Sequence, residues 1–173
     1  MNIDFIKMIG EHISLWEKWI TIPHVKEVWF IDGYETSDYI FDKIKGNGHT
    51  VPFIIYLDNL PIGYIQYCDL YAYRTLTPKP KGLFTNESSG TFCIDLFIAE
   101  IDFLDKGYGT EIIKQFTRKL IDELGAKKIL IDPAASNERA IRCYQKAGFK
   151  IVKNANDGII ECIIMEYIPG KTL

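Results

Sequence analysis

The spacing of hydrophobic and polar positions changes period several times along this chain, and each change marks an element. Apolar residues at Ile13, Leu15, Trp16, Trp19 and Ile20 predict a short amphipathic helix. A second short helix is expected over Ser37–Lys45, ended by Gly46-Asn47-Gly48. Val51–Leu57 and Ile62–Leu70 read as strands, with Asp58-Asn59-Leu60-Pro61 as the hairpin turn between them. Pro78–Ser89 is a polar loop bearing Pro and Gly, and Thr91–Ile98 is a third strand. Ile112, Ile113, Phe116, Leu120, Ile121 and Leu124 lie on one stripe of a strong helix over Gly109–Leu124, which Gly125 stops. Lys128–Ile131 is a short buried strand. Asn137–Ala147 reads as a helix with Asn137 at or near its N-cap and Gly148 just past its end. Phe149–Val152 and Ile159–Tyr167 are the closing strands.

This order predicts a mixed α/β (α+β) fold. A mostly antiparallel sheet is flanked by helices, and one central parallel strand–helix–strand crossover follows Thr91–Ile98. No repeat or long linker breaks the pattern, so residues 1–173 are expected to form a single domain. Tyr64, Tyr67, Tyr71 and Tyr73 are expected to pack on the sheet.

Composition narrows the partners. The net charge is −3, and the nearest thing to a basic cluster, Lys79 and Lys81, is broken up by prolines. Phosphate backbones need a concentrated basic face, so nucleic acid is not the expected partner. No apolar run approaches the roughly 20 residues of a membrane span. Cys68, Cys93, Cys143 and Cys162 are widely spaced, with no C-x-x-C pair and no His at zinc spacing, so no metal site is expected. They read as small buried residues in a reducing compartment. The first residues, MNIDFIKMIGEH, carry acids and lack a long apolar core. A cytoplasmic protein is the expectation, as monomer or homodimer. His12, His24 and His49 are scattered and suggest no site.

One segment points to a ligand. Lys106-Gly107-Tyr108-Gly109-Thr110 stands directly before the strong helix. A helix N-terminus offers unpaired N–H groups and partial positive charge, and glycines let the backbone approach an anion. Together they make a phosphate cradle. The segment is neither a P-loop nor a dinucleotide fingerprint, because G-x-x-x-x-G-K-[ST] and G-x-G-x-x-G are both missing. By itself it reads equally as a structural turn.

Residues 131–149, IDPAASNERAIRCYQKAGF, follow that loop at close range. The pairing resembles the GNAT superfamily of acetyltransferases. In that family a Gly-rich loop holds the CoA pyrophosphate, and an Asn opens a helix that ends in a Tyr-x-Lys-x-Gly-Phe run. The matching positions are Asn137, Tyr144, Lys146, Gly148 and Phe149. The likeness spans roughly residues 91–167, and IGY at 62–64 also fits. It is closer still to the aminoglycoside 6′-N-acetyltransferases, in IDLFIAEIDFLDKGYGT (94–110) and in the DP, SN, RAIR and Y-x-K-x-GF elements. Leu104 departs from the Gln or Arg that usually begins the family's loop. Leu96 departs from the Gln that the aminoglycoside enzymes tend to have after the strand Asp.

The resemblance implies acetyl-CoA as co-substrate and a primary amine of a polycationic small molecule as acceptor, most closely the 6′-amine of an aminoglycoside. Direct attack on the thioester needs a neutral amine, a held carbonyl and a protonated leaving thiolate. Asp95 is the candidate base or amine anchor, since a carboxylate in the apolar strand FCIDLFI is costly unless paired or facing a cleft. Strand alternation puts it on the face of Cys93 and Phe97. Tyr144 is the candidate general acid: giving its proton to a thiolate is uphill by about 1.5 pKa units, roughly 2 kcal/mol. A core Tyr beside Ala140, Ile141 and Ala147 is the other reading. The resemblance puts Phe97 and Ile98 on the pantetheine arm and in reach of the oxyanion. It adds Asn137 and Ala140 to the cofactor set that Lys106–Thr110 begins. It also brings Asp132 to a cationic sugar, although Asp-Pro reads equally as a turn. Asp157, in Asp-Gly, reads first as a hairpin turn and second as a substrate contact. Trp29 reads either as a wall of the acceptor site or as a helix-end core residue. Other acceptors in the same class are a protein N-terminus, a polyamine or a siderophore precursor. A non-catalytic acyl-CoA-binding module is the reading outside it.

Overall fold

The computed structural model describes residues 1–29 and 37–170. Seven strands hydrogen-bond in the order β1-β2-β3-β4-β5-β7-β6. They are β1 Ile3–Lys7, β2 Thr50–Leu57, β3 Leu60–Asp69, β4 Thr91–Ile98, β5 Lys128–Ile131, β6 Lys150–Asn156 and β7 Glu161–Tyr167. The helices are α1 Ile13–Trp19, α2 Pro23–Trp29, α3 Ser37–Lys45, α4 Leu70–Arg74, α5 Tyr108–Leu124 and α6 Glu138–Lys146. β4 and β5 are parallel, joined through α5, while β1–β2, β5–β7 and β6–β7 are antiparallel. This is the mixed sheet with one parallel crossover that the element order predicts. No helix among the described residues is long and apolar enough to cross a membrane.

The chain forms two compact units, and β3 and β4 each pass from one into the other. The first comprises Met1–Tyr67 and Asp95–Leu104, the second Cys68–Ile94 and Asp105–Leu173. In the first, Trp16 and Trp19 of α1, Val25 of α2 and Ile40 of α3 close over Ile54, Tyr64 and Phe97 of the strands and Ala99 just past β4. The indole Nε1 of Trp19 donates to Glu100 Oε1 at 3.1 Å, so its polar edge is satisfied as its rings are buried. In the second, α5 buries Ile112, Ile113, Phe116, Thr117 and Leu120. Its stripe therefore runs through Thr117 rather than out to Leu124, which is 43% exposed. The i, i+3, i+4, i+7 set from Ile113 has drifted off the core face by the last turn. Gly125 then adopts φ 63°, and Ala126 N–H reaches back to the Leu120 carbonyl, a left-handed stop of the kind Gly favours.

Several elements differ from the sequence reading. The hairpin turn is two residues, Asp58 and Asn59, both at positive φ, so Leu60 and Pro61 belong to β3. The final hairpin turns at Asp157-Gly158, which lengthens β6 to Asn156. Tyr71 and Tyr73 lie in a helix rather than a strand: Asp69 Oδ1 accepts from the N–H groups of Tyr71 and Ala72 and starts α4 there. The strand β1 and helix α2 are additional. Pro23 at the first position of α2 is the signal that marks its start.

Candidate active site

In the second unit the Gly-rich loop leads into α5 beside α6. Gly107 sits at φ 84°, a left-handed conformation that side chains rarely adopt, and it is the N-cap of α5. The intrahelical ladder begins with Thr110 N–H on the Gly107 carbonyl at 3.1 Å. The amides from Gly107 to Gly109 thus precede the ladder and crown the positive end of a 17-residue helix. Lys106 and Gly107 are exposed, and Tyr108, Gly109 and Thr110 are half-buried. Thr110 Oγ1 lies 3.5 Å from Cys143 Sγ on α6, and the Arg139 guanidinium is 3.7 Å from Asp105. These contacts hold the start of α5 against α6. Burial pushes the Cys143 thiol above its usual range, against the opposing pull of Thr110, Lys146 and Arg139, which keeps it a neutral packing group.

Asn137 caps α6 as expected: its Oδ1 accepts from Ala140 N–H at 3.1 Å. That spends the Ala140 amide on the cap and leaves the NH₂ end of Asn137 for a donor role. Tyr144, on the inner face of α6, is 9% exposed, and its ring packs 6.3 Å from that of Phe149. Gly148, at φ 101°, then brings the chain tight against the Tyr167 ring.

The acids of the same unit gather at the ends of β5 and β7. Cys93 Sγ lies 3.9 Å from Asp132 Oδ1. Asp132, Asp157 and Glu161 all act on the buried thiol of Cys162, which burial first and these carboxylates next raise to about 11. Asp157 also shapes its turn, since its Oδ1 accepts from the N–H groups of Ile159 and Ile160 at 2.7 and 2.8 Å.

The first unit supplies the wall around Asp95. The parallel register of β4 with β5 ends at Cys93↔Leu130, and β4 runs on to Ile98 beyond it. Trp29, half-buried at the end of α2, meets Phe97 edge-on at 5.1 Å and Tyr64 at 5.5 Å. Tyr64 and Phe97 are themselves stacked at 5.5 Å. Asp95 is half-buried on the face of this aromatic group, and its Oδ2 accepts from Gln66 Nε2 at 2.9 Å. His24 Nε2 is 3.1 Å from the Ile98 carbonyl oxygen, which can only accept, so that nitrogen donates and ties α2 to the end of β4.

Three residues of this wall escaped the sequence reading. His24 was read as having no role. Gln66 shares a strand face with Tyr64, a signal that alternation could have supplied. Lys43 lies at i+3 from Ile40 on the buried stripe of α3, where a lysine is unexpected, and is 2% exposed.

The pattern of the family described as "Acetyltransferase (GNAT) domain" matches residues 9–156. An aminoglycoside N(6′)-acetyltransferase type 1 from Klebsiella pneumoniae is 29% identical over 153 residues, 84% of this chain and 73% of that protein. A kanamycin resistance protein from Rhizobium radiobacter is 44% identical over 57 residues, 33% of this chain and 53% of that protein. The solved structure of AAC(6′)-Ib in complex with paromomycin and acetyl-CoA superposes with a TM-score of 0.85 at 25% identity, covering 98% of this chain and 94% of that one. A spermidine N-acetyltransferase from Vibrio cholerae, at 15% identity and a TM-score of 0.74 over 98% of this chain and 96% of that one, shares the fold. With the family pattern spanning both units and the Gly-rich loop and Asn-capped helix in place, this chain belongs to the GNAT acetyltransferase family.

Proposed function

We propose that this protein transfers the acetyl group of acetyl-CoA to the 6′-amine of an aminoglycoside. The observation that carries the acceptor class is the set of carboxylates on these strands and turns, with Asp132 after β5, Asp157 in the β6–β7 turn, Glu161 at the start of β7 and Asp95 on β4. Such a set attracts a molecule bearing several ammonium groups. The likeness to AAC(6′)-Ib over nearly the whole chain gives the same reading independently.

Acetyl-CoA supplies an activated thioester. The amides from Lys106 to Gly109, with the Thr110 side chain beside them, hold its pyrophosphate, and the left-handed Gly107 is what lets that backbone close round an anion. The NH₂ of Asn137 donates to the pantetheine arm, with the Ala140 methyl alongside. The backbone of Phe97 and Ile98 continues the cradle and offers an N–H to the carbonyl oxygen as it becomes an oxyanion. Asp95 anchors the acceptor ammonium and takes its proton. Asp95 passes that proton to solvent; the amine then forms the C–N bond as the C–S bond breaks and sheds its second proton to Asp95, while Tyr144 gives a proton to the sulfur and regains one from solvent. Asp132 and Asp157 bind further ammonium groups, and Trp29 walls the acceptor site.

Tyr144→Phe is expected to lower kcat by about 10²-fold, within the range for losing a general acid, with the KM for acetyl-CoA nearly unchanged. Steady-state thiol release checks this, and an unchanged kcat would remove Tyr144 from the chemistry. The regiochemistry is tested with a kanamycin-type acceptor and its 6′-hydroxy analogue. The amine is expected to turn over and the analogue not. Equal turnover would place the transfer at another amine.

A further inference from the structure

Three side chains behind Asp95 form a connected buried group. Gln66 is 7% exposed, Lys43 2% and Tyr64 0%. Gln66 Oε1 accepts from Lys43 Nζ at 2.7 Å and from the Tyr64 hydroxyl at 2.8 Å, and Gln66 Nε2 donates to Asp95 Oδ2 at 2.9 Å.

The orientation of that amide follows from its partners. An ammonium has donors and no acceptor, so the oxygen end of Gln66 must face Lys43. The NH₂ end is then forced toward Asp95. A buried cation thus lies one amide behind the carboxylate, and polarises the amide between them in the direction that strengthens its donation. Lys43 is held in turn over the Tyr39 ring, 4.6 Å from its centroid. A lysine on the buried stripe of a short helix is expensive in stability, and packing alone would be served by an apolar residue.

We propose that Lys43 and Gln66 are positioning residues: the Lys43–Gln66 relay aims the Asp95 carboxylate at the acceptor amine and sets how strongly the site selects charged amines. This rests on the reading of Asp95 as base or amine anchor. Neither residue touches the acceptor; both act through Asp95.

The test is a double-mutant cycle on thiol release with a kanamycin-type acceptor. Gln66→Leu and Lys43→Met are each expected to reduce kcat/KM for the acceptor by about 10-fold or more, the size of effect seen when an orienting partner is removed. The KM for acetyl-CoA should stay unchanged. In an Asp95→Asn background the same substitutions should have almost no further effect, because the group they position has gone. A purely structural role would give the same loss in both backgrounds, and that result overturns the relay. Gln66→Glu guards against simple misfolding, since it keeps the shape and both contacts to Lys43 and Tyr64 but turns a donor into an acceptor facing Asp95. Full activity in folded Gln66→Glu also overturns the relay. If Asp95→Asn alone leaves turnover intact, the reading of Asp95 fails, and that outcome is distinct from either of the others.

Discussion

Asp95→Asn is expected to cut kcat/KM for an aminoglycoside acceptor by about 10³-fold, in the range for losing a general base that also anchors its substrate. The substitution is nearly isosteric, so the aromatic wall of Trp29, Tyr64 and Phe97 should stay in place. In the proposed mechanism, what goes is the negative charge that holds the acceptor ammonium and the acceptor site for its proton. Both losses fall on the amine. Acetyl-CoA affinity, which the proposed roles assign to the loop at Gly107 and the cap at Asn137, should be unchanged in a direct binding titration. The split between the two substrates is the informative part. Comparable weakening of both would mean that the variant disturbs the fold rather than the chemistry. Unchanged turnover would mean that another group takes the proton.

Gly63→Ala is expected to be strongly destabilising. An added Cβ would stand 2.3 Å from the Phe97 carbonyl oxygen and 3.0 Å from Ile98 Cα. Both are backbone atoms of the neighbouring strand and cannot swing aside as a side chain would. Ile62 meanwhile holds the next residues, its carbonyl accepting from Ala99 N–H at 2.8 Å, so β4 cannot retreat without losing that bond. Overpacking of this kind costs about 3 kcal/mol at its upper end, which for a chain of this size lowers Tm by about 6–12 °C. The displaced backbone is that of Phe97 and Ile98, so activity should fall as well. Gly10 provides the control: a Cβ there meets nothing within 4 Å, and Gly10→Ala should leave Tm unmoved. Thermal unfolding of the two variants checks the contrast, and a Gly63→Ala protein as stable as the parent would show that the strands are not held so close.

The parts of this fold legible in the sequence are those fixed by local pattern. The stripe of α5, the strand Thr91–Ile98, the Asn137 cap and the glycines of the loop each announce themselves within a few residues. The strand β1 did not, because Ile3–Lys7 is short and owes its place to pairing with β2 across some fifty residues. Leu124 was misplaced for the opposite reason: a regular period was carried one turn past where the core ends. The site follows the same division. The Gly-rich loop and the Asn137-capped helix lie in two nearby segments and read as one motif. The surroundings of Asp95 are assembled from α2, α3 and β3, and nothing local says that Lys43 turns inward or that Gln66 will meet an acid on β4. A lysine on a helix reads as solvated until its neighbours are known. Asp157 shows how one residue can hold two readings, since its Oδ1 shapes a turn while its charge contributes to the acidic field at Cys162.

The central claim is that the acceptor is an aminoglycoside amine. It is tested most directly by thiol release from acetyl-CoA with kanamycin, spermidine and an amino-terminal peptide at matched concentrations. The account predicts a kcat/KM for kanamycin at least about 100-fold above the other two, equivalent to about 2.7 kcal/mol of discrimination. Thiol release with spermidine or the peptide, and none with any aminoglycoside, would contradict it.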